Sequence, residues 1–163
     1  MRPNFRKADA SDGEIIKELL YHAIFIPKAE KPAPKEIIEK PELSKYYENW
    51  KRVGDIGYIA SLDGKEIGAI WLRLFECKNK GYGFIDEKVP EMSMAVIPAY
   101  RNLGIGSQLF DTLLADDELL RYKAISLSVH RKNRAVRLYQ RYGFKVFDEN
   151  GESYIMKKVL ADI

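Results

Sequence analysis

Apolar residues recur along this chain in two rhythms, short strand-like runs and longer stretches at helical spacing, and their order predicts the fold. Phe5-Arg6-Lys7-Ala8 reads as a first strand. Ser11 or Asp12 then caps a helix, with Glu14 in its first turn and Ile15, Ile16, Leu19, Leu20 and Ala23 at helical spacing. Pro27, Pro32, Pro34 and Pro41 prevent one straight helix between Ile26 and Pro41, although Lys35–Lys40 has room for a helical turn or two. A further helix is expected over Leu43–Arg52, bringing Tyr46, Tyr47 and Trp50 close together. Gly57–Leu62 and Glu66–Phe75 predict two strands joined at Asp63-Gly64, a strong hairpin dipeptide. Tyr82–Val89 fits loop and strand equally.

The second half alternates more regularly. Met92–Ile97 is short, apolar and closed by Pro98, as a buried strand would be. Ile105, Leu109, Leu113 and Leu114 then follow helical spacing, with Phe110 on the same face. Ala124–Val129 predicts a strand whose Ile125, Leu127 and Val129 point one way. Asn133–Tyr142 predicts a helix with Ala135, Leu138 and Tyr139 on one face, stopped by Gly143. Phe144–Phe147 and Tyr154–Val159 close the chain as a hairpin across Asp148-Glu149-Asn150-Gly151. There is no repeat, low-complexity tract or clear linker. The pattern predicts an α+β fold, with a mixed, largely antiparallel central sheet flanked by helices.

Composition narrows the function classes. At 163 residues, 46% hydrophobic and 31% charged, the chain is expected to be one globular domain over 1–163. A net charge of +3 is too small to point to nucleic acid. The one cysteine, Cys77, cannot form an internal disulfide, which fits a reducing compartment. No apolar core follows the basic residues Arg2, Arg6 and Lys7, and no uncharged run reaches membrane-spanning length, so the cytoplasm is the expected location.

One segment points to a ligand. Arg101-Asn102-Leu103-Gly104-Ile105-Gly106 stands where the Met92–Ile97 strand gives way to a helix. The first N–H groups of a helix lack internal partners, and the macrodipole adds positive potential there. Glycines let the backbone approach a bulky anion, so this turn is a candidate pyrophosphate cradle. About thirty residues later, Asn133, Ala135, Leu138, Tyr139, Gly143 and Phe144 frame a second helix.

At these joined motifs the chain resembles the GCN5-related N-acetyltransferases, and the order of predicted elements matches over its whole length. The resemblance implies the acyl-CoA N-acyltransferase fold, acetyl-CoA as acyl donor, and direct attack by an amine, small or peptide-borne. It implies that Arg101, Gly104 and Gly106 match the pyrophosphate loop, with backbone N–H groups from Asn102, Leu103, Gly104, Ile105, Gly106 and Ser107 as phosphate donors. Ala95, Val96 and Ile97 match the strand that hydrogen-bonds the pantetheine arm. Asn133 matches the cofactor-contacting asparagine, and Tyr139 the tyrosine that protonates the departing thiolate. Asn102 stands where a glycine is common in the family, but asparagine tolerates the left-handed region. No nucleic acid, membrane or metal is expected, and the reading leaves room for a homodimer.

The chemistry can also be reasoned from the groups. Holding thioester and amine in line contributes up to about 7–11 kcal/mol in well-oriented cases. A phenol can protonate the thiolate, and an incoming ammonium must lose a proton, for which Glu91 is the candidate base, directly or through water. Glu87 and Asp86 are weaker candidates. Each residue also has an ordinary reading: Tyr139 as core filling, Glu91 as a solvated rim residue, and Arg131, Lys132, Arg134, Arg137 and Arg141 as a solvated helix face. Tyr46, Tyr47, Trp50, Trp71 and Phe75 suit an acceptor pocket or the core equally. His22 and His130 lack metal-ligand spacing, and Cys77 has no paired histidine. Two rivals to an acetyltransferase remain, an acyl-CoA-binding module without turnover and an enzyme using another acyl-CoA or a protein amine. A Walker-type nucleotide site is disfavoured, since no Gly-Lys-Ser/Thr follows the loop.

Overall fold

The computed structural model describes residues 2–26 and 30–160. The chain divides into two compact units, Met1–Leu72 with Ser93–Asp116, and Arg73–Met92 with Asp117–Ile163. The architecture is α+β, with a mixed, mainly antiparallel set of seven strands and accompanying helices.

In the first unit, β1 (Asn4–Lys7) pairs antiparallel with β2 (Ile56–Leu62), and β2 with β3 (Lys65–Arg73). Asp63 at φ 50° and Gly64 at φ 79° form the tight hairpin turn, where two successive positive φ values match the strand twist. The strand order continues from β3 to β4 (Glu91–Val96), just beyond which the Ile97 N–H donates to the Ile67 carbonyl at 2.8 Å. Helix α1 (Gly13–Ala23) buries Ile16, Leu19 and Leu20, three of the five residues that set its helical spacing. Helix α3 (Ile105–Leu114) packs on β2 and buries Ile105, Leu109, Phe110 and Leu113, each worth about 1.5–3 kcal/mol of transfer from water.

In the second unit, β5 (Ala124–His130) pairs in parallel with the start of β4 at Glu91↔Ser126. It pairs antiparallel with β7 (Ser153–Val159), from Ala124↔Val159 to His130↔Ser153. β6 (Lys145–Asn150) pairs with β7 alone, and every one of its residues is exposed. Helix α4 (Ala135–Arg141) ends at Gly143, whose φ of 92° is the left-handed stop expected there.

Two local expectations need correction. The helix expected over Leu43–Arg52 shrinks to the four residues of α2 (Pro41–Ser44). Beyond it, Asn49 and Lys51 take positive φ, and the Asp55 carboxylate accepts the Lys51 and Arg52 N–H groups, forming turns instead. The N-cap position of α1 is Asp12, one of the two residues expected there. The 3-10 turn ahead of it, Ala10–Asp12, has its own cap in Asp9, which accepts from Ser11 N–H while the Asp12 carboxylate reciprocates on Asp9 N–H. The closing hairpin turn is shorter than expected because Asp148, Glu149 and Asn150 still pair with β7. Tyr82–Val89, which fitted loop and strand equally, is loop. The expectation of a break between Ile26 and Pro41 is met by a 3-10 turn over Lys35–Glu39, while Pro27 lies outside the described residues.

Candidate active site

The strand-to-helix turn in the first unit has the form an anion cradle needs. Asn102 at φ 62° and Gly104 at φ 82° both sit in the left-handed region, which bends the chain sharply between Pro98 and α3. Gly104 is the N-cap of α3, and no side chain caps that end. The leading N–H groups of Ile105 and Gly106 therefore open the helix without internal partners. Arg101, Asn102, Leu103 and Gly104 are exposed, and a Cβ placed on Gly104 meets nothing within 4 Å. Uncapped donors, a helix dipole and open space together fit a diphosphate.

The strand leading to this turn is partly committed. The Arg101 Nε donates to the Val96 carbonyl at 2.9 Å, and its terminal nitrogen donates to the His22 carbonyl at 2.9 Å. The Ile97 N–H is taken by β3. The Ala95 carbonyl crowds Gly68, where an added Cβ would lie 2.9 Å from it. Gly68 is thus the one residue that allows β3 and β4 to approach so closely at this point.

The second unit holds the candidate proton carriers. Tyr139 is buried on α4 in an edge-to-face contact with Phe144, centroids 5.8 Å apart. Burial pushes its phenol up to about 12, because the charged phenolate loses solvation. It is therefore a protonated phenol throughout the neutral range. Glu91 is also buried, so the solvated-rim alternative does not apply, and its Oε1 accepts the Gly83 N–H at 3.0 Å. Gly83 itself lies against β5: a Cβ there would fall 2.6 Å from the Leu127 carbonyl carbon. The Gly81-x-Gly83 pattern was the available signal for this donor, and a loop reading alone does not reveal it. On β5, opposite Glu91, the Ser126 Oγ is fully buried and has no hydrogen-bond partner among the described residues.

Other expectations sort cleanly. Asn133 Oδ1 accepts the Ala135 N–H at 2.9 Å, so part of its amide caps α4. Glu87 accepts the Cys77 N–H and Asp86 the Lys88 N–H, and both carboxylates serve the exposed loop. Arg131, Lys132, Arg134, Arg137 and Arg141 are exposed, with Arg131 bonded to the Gly151 carbonyl. Trp71 is wholly buried and donates to the Tyr46 carbonyl, and Trp50 donates to the Asp9 carbonyl. Tyr46 and Phe75 are buried as well, so these four belong to cores, while Tyr47 is bonded to the Ile38 carbonyl. His130 contacts Glu152 and accepts the Lys132 N–H. Cys77 is exposed, and among the described residues no group of His, Cys, Asp or Glu is arranged to hold a metal. No described helix is long and apolar enough to cross a membrane.

Comparison with known proteins points the same way as the turn. The family model described as acetyltransferase (GNAT) domain matches residues 54–146, which include both motifs. The spermine/spermidine N(1)-acetyltransferase of Bacillus subtilis is 33% identical over 97 residues, covering 56% of this chain and 51% of that protein. The chain spans only somewhat more than half the length of the curated relatives it matches. Among solved structures, yncA of Salmonella typhimurium with acetyl-CoA superposes at TM-score 0.69 and 20% identity, covering 100% of this chain and 96% of that one. PaiA N-acetyltransferase of Thermoplasma acidophilum in complex with coenzyme A gives TM-score 0.65 at 22% identity, over 98% and 99% of the two chains.

Proposed function

The chain belongs to the acetyltransferase (GNAT) domain family, and from that premise we propose that it transfers an acetyl group from acetyl-CoA to a primary amine. The observation that carries the donor assignment is the uncapped start of α3 behind a left-handed Gly104 with open space beside it. In this reading the Asn102–Ser107 backbone holds the pyrophosphate, and Ala95–Ile97 and Asn133 contact the rest of the cofactor. The amine nitrogen attacks the thioester carbonyl, forming C–N as C–S breaks. Glu91 takes the proton that the ammonium must lose, directly or through water. Tyr139 offers its phenolic proton to the departing thiolate. A phenol held near 12 is a weak acid against a thiol of about 8.5, so complete proton transfer is uphill and the phenol helps chiefly by a hydrogen bond to the sulfur that strengthens as charge develops on it. The whole of 1–163 acts as one such domain, in a reducing cytoplasm.

The Bacillus subtilis relative is named for spermine and spermidine, which places polyamines first among amines to test. The deciding experiment mixes the protein and acetyl-CoA with polyamines, aminoglycosides, amino acids and peptides, and reads free CoA thiol. Thiol release with at least one amine is expected. Saturable CoA binding without release for any amine would instead favour a binding module.

A further inference from the structure

We propose that Arg101 is a positioning residue, bracing the phosphate loop against the end of α1 instead of gripping the phosphates. This rests on the acetyl-CoA reading of the same loop. The guanidinium spans two carbonyls that belong to different elements: Val96 at the end of β4, five residues away, and His22 in the last turn of α1, 79 residues away, each at 2.9 Å. Among the described residues these carbonyls are its hydrogen-bond partners. The His22 carbonyl is one of the last four of α1, which have no acceptor role within the helix, and a cation there also complements the negative end of the dipole.

The loop needs such a brace. Gly104 adopts its left-handed φ freely, but Asn102 is a non-glycine residue at φ 62°, a conformation that surrounding structure helps to hold. Arg101 itself is extended, at φ −74° and ψ 159°, so its side chain leaves the loop just before left-handed Asn102. Its fork can serve two carbonyls at fixed geometry, which a lysine ammonium on a flexible stem does not reproduce. Burial first, and then the charges of Arg101 and Lys35, lower the His22 pKa and favour the neutral ring, so Arg101 is the cation beside this carbonyl. Arginine at this position thereby shapes the donor site from behind.

The test compares wild type, Arg101→Lys and Arg101→Met. Hydrogen exchange is first measured on the free protein. The brace predicts faster exchange at 21–24 and 102–106 in both variants, with β7 unchanged. Calorimetry with CoA at 50 mM and 300 mM salt then predicts a roughly tenfold rise in Kd for both variants, in the same ratio at either salt concentration. The KM for acetyl-CoA rises with it, while the KM for the amine does not. A phosphate-gripping arginine gives the opposite result: unchanged exchange in the free protein, and a Kd loss that Lys restores and high salt shrinks. Either that pattern, or unchanged exchange with unchanged Kd, overturns the proposal. If wild type binds no CoA, the donor reading fails separately, and the exchange data still decide the brace.

Discussion

Tyr139 carries a pH signature that any catalytic role must share. Its pKa is raised from about 10 to about 12 in the folded protein, so the folded state holds the proton more tightly than the unfolded chain. The associated stability is fully present below pH 10 and is lost as pH rises through 12, amounting to about 2–3 kcal/mol. Denaturant midpoints at pH 8 and pH 11 should therefore converge more for Tyr139→Phe than for wild type. In turnover the same substitution is expected to lower kcat by about 100-fold, a typical contribution from an acid–base group. Unchanged kcat, with chemistry shown to be rate-limiting, would remove Tyr139 from the mechanism. Glu91→Gln keeps an acceptor for the Gly83 N–H, so the fold should survive. Its rate should fall at neutral pH and recover partly at high pH, where free amine no longer needs a base.

At the scale of elements, the start of the first helical segment is held by a cluster the sequence only half reveals. Asp12 is nearly buried and accepts both terminal nitrogens of Arg6 at 2.8 Å, together with the Asp9 N–H. The Arg6 hydrogen bonds lower the Asp12 pKa, and Arg6 is raised in turn. The stability this pair adds is present above the ordinary carboxylate range and is lost as pH falls through the lowered value. Asp12→Ala removes an ion pair whose Arg6 side is partly solvated, together with the reciprocal cap on Asp9 N–H, and is expected to cost about 1–2 kcal/mol in urea denaturation. Asp9→Ala, which removes only the cap, should cost about 1 kcal/mol. The spacing of Ile16, Leu19 and Leu20 made α1 legible, because a helix that buries one face repeats its apolar residues at that period. Its N-cap was legible to within two residues, Ser11 or Asp12, and falls on Asp12; the 3-10 turn ahead of it, capped by Asp9, was not legible, because Asp9, Ser11 and Asp12 all carry cap chemistry. Likewise Leu43–Arg52 is dense in apolar residues yet folds mainly as turns, because backbone bonds to the Asp55 carboxylate compete with helix formation.

For the whole molecule, donor binding and stability are linked. A ligand at 100 times its Kd stabilises the folded state by about 2.7 kcal/mol, and for a chain of this length that corresponds to roughly 5–11 °C in Tm. Acetyl-CoA should produce such a shift in a thermal melt, and Gly104→Val should abolish it. The added side chain strains a φ of 82° and projects into the open space beside the helix start. An absent shift in wild type at saturating acetyl-CoA would sink the donor assignment.

The sequence by itself determined the order of elements, the strand–turn–helix at Arg101–Gly106, the stop at Gly143 and the family these motifs point to. Each is local, written in apolar period or in the backbone freedom of glycine at a few neighbouring positions. Only the tertiary structure decided what these residues touch. It buried Glu91 and bonded it to Gly83, put Trp50 and Trp71 in the core, and tied Arg101 to a carbonyl 79 residues away. Hydrogen bonds to backbone carbonyls leave no trace in side-chain pattern, because every residue has one. The loop proposed as the phosphate cradle was visible in the chain, and the Arg101 contacts behind it were not.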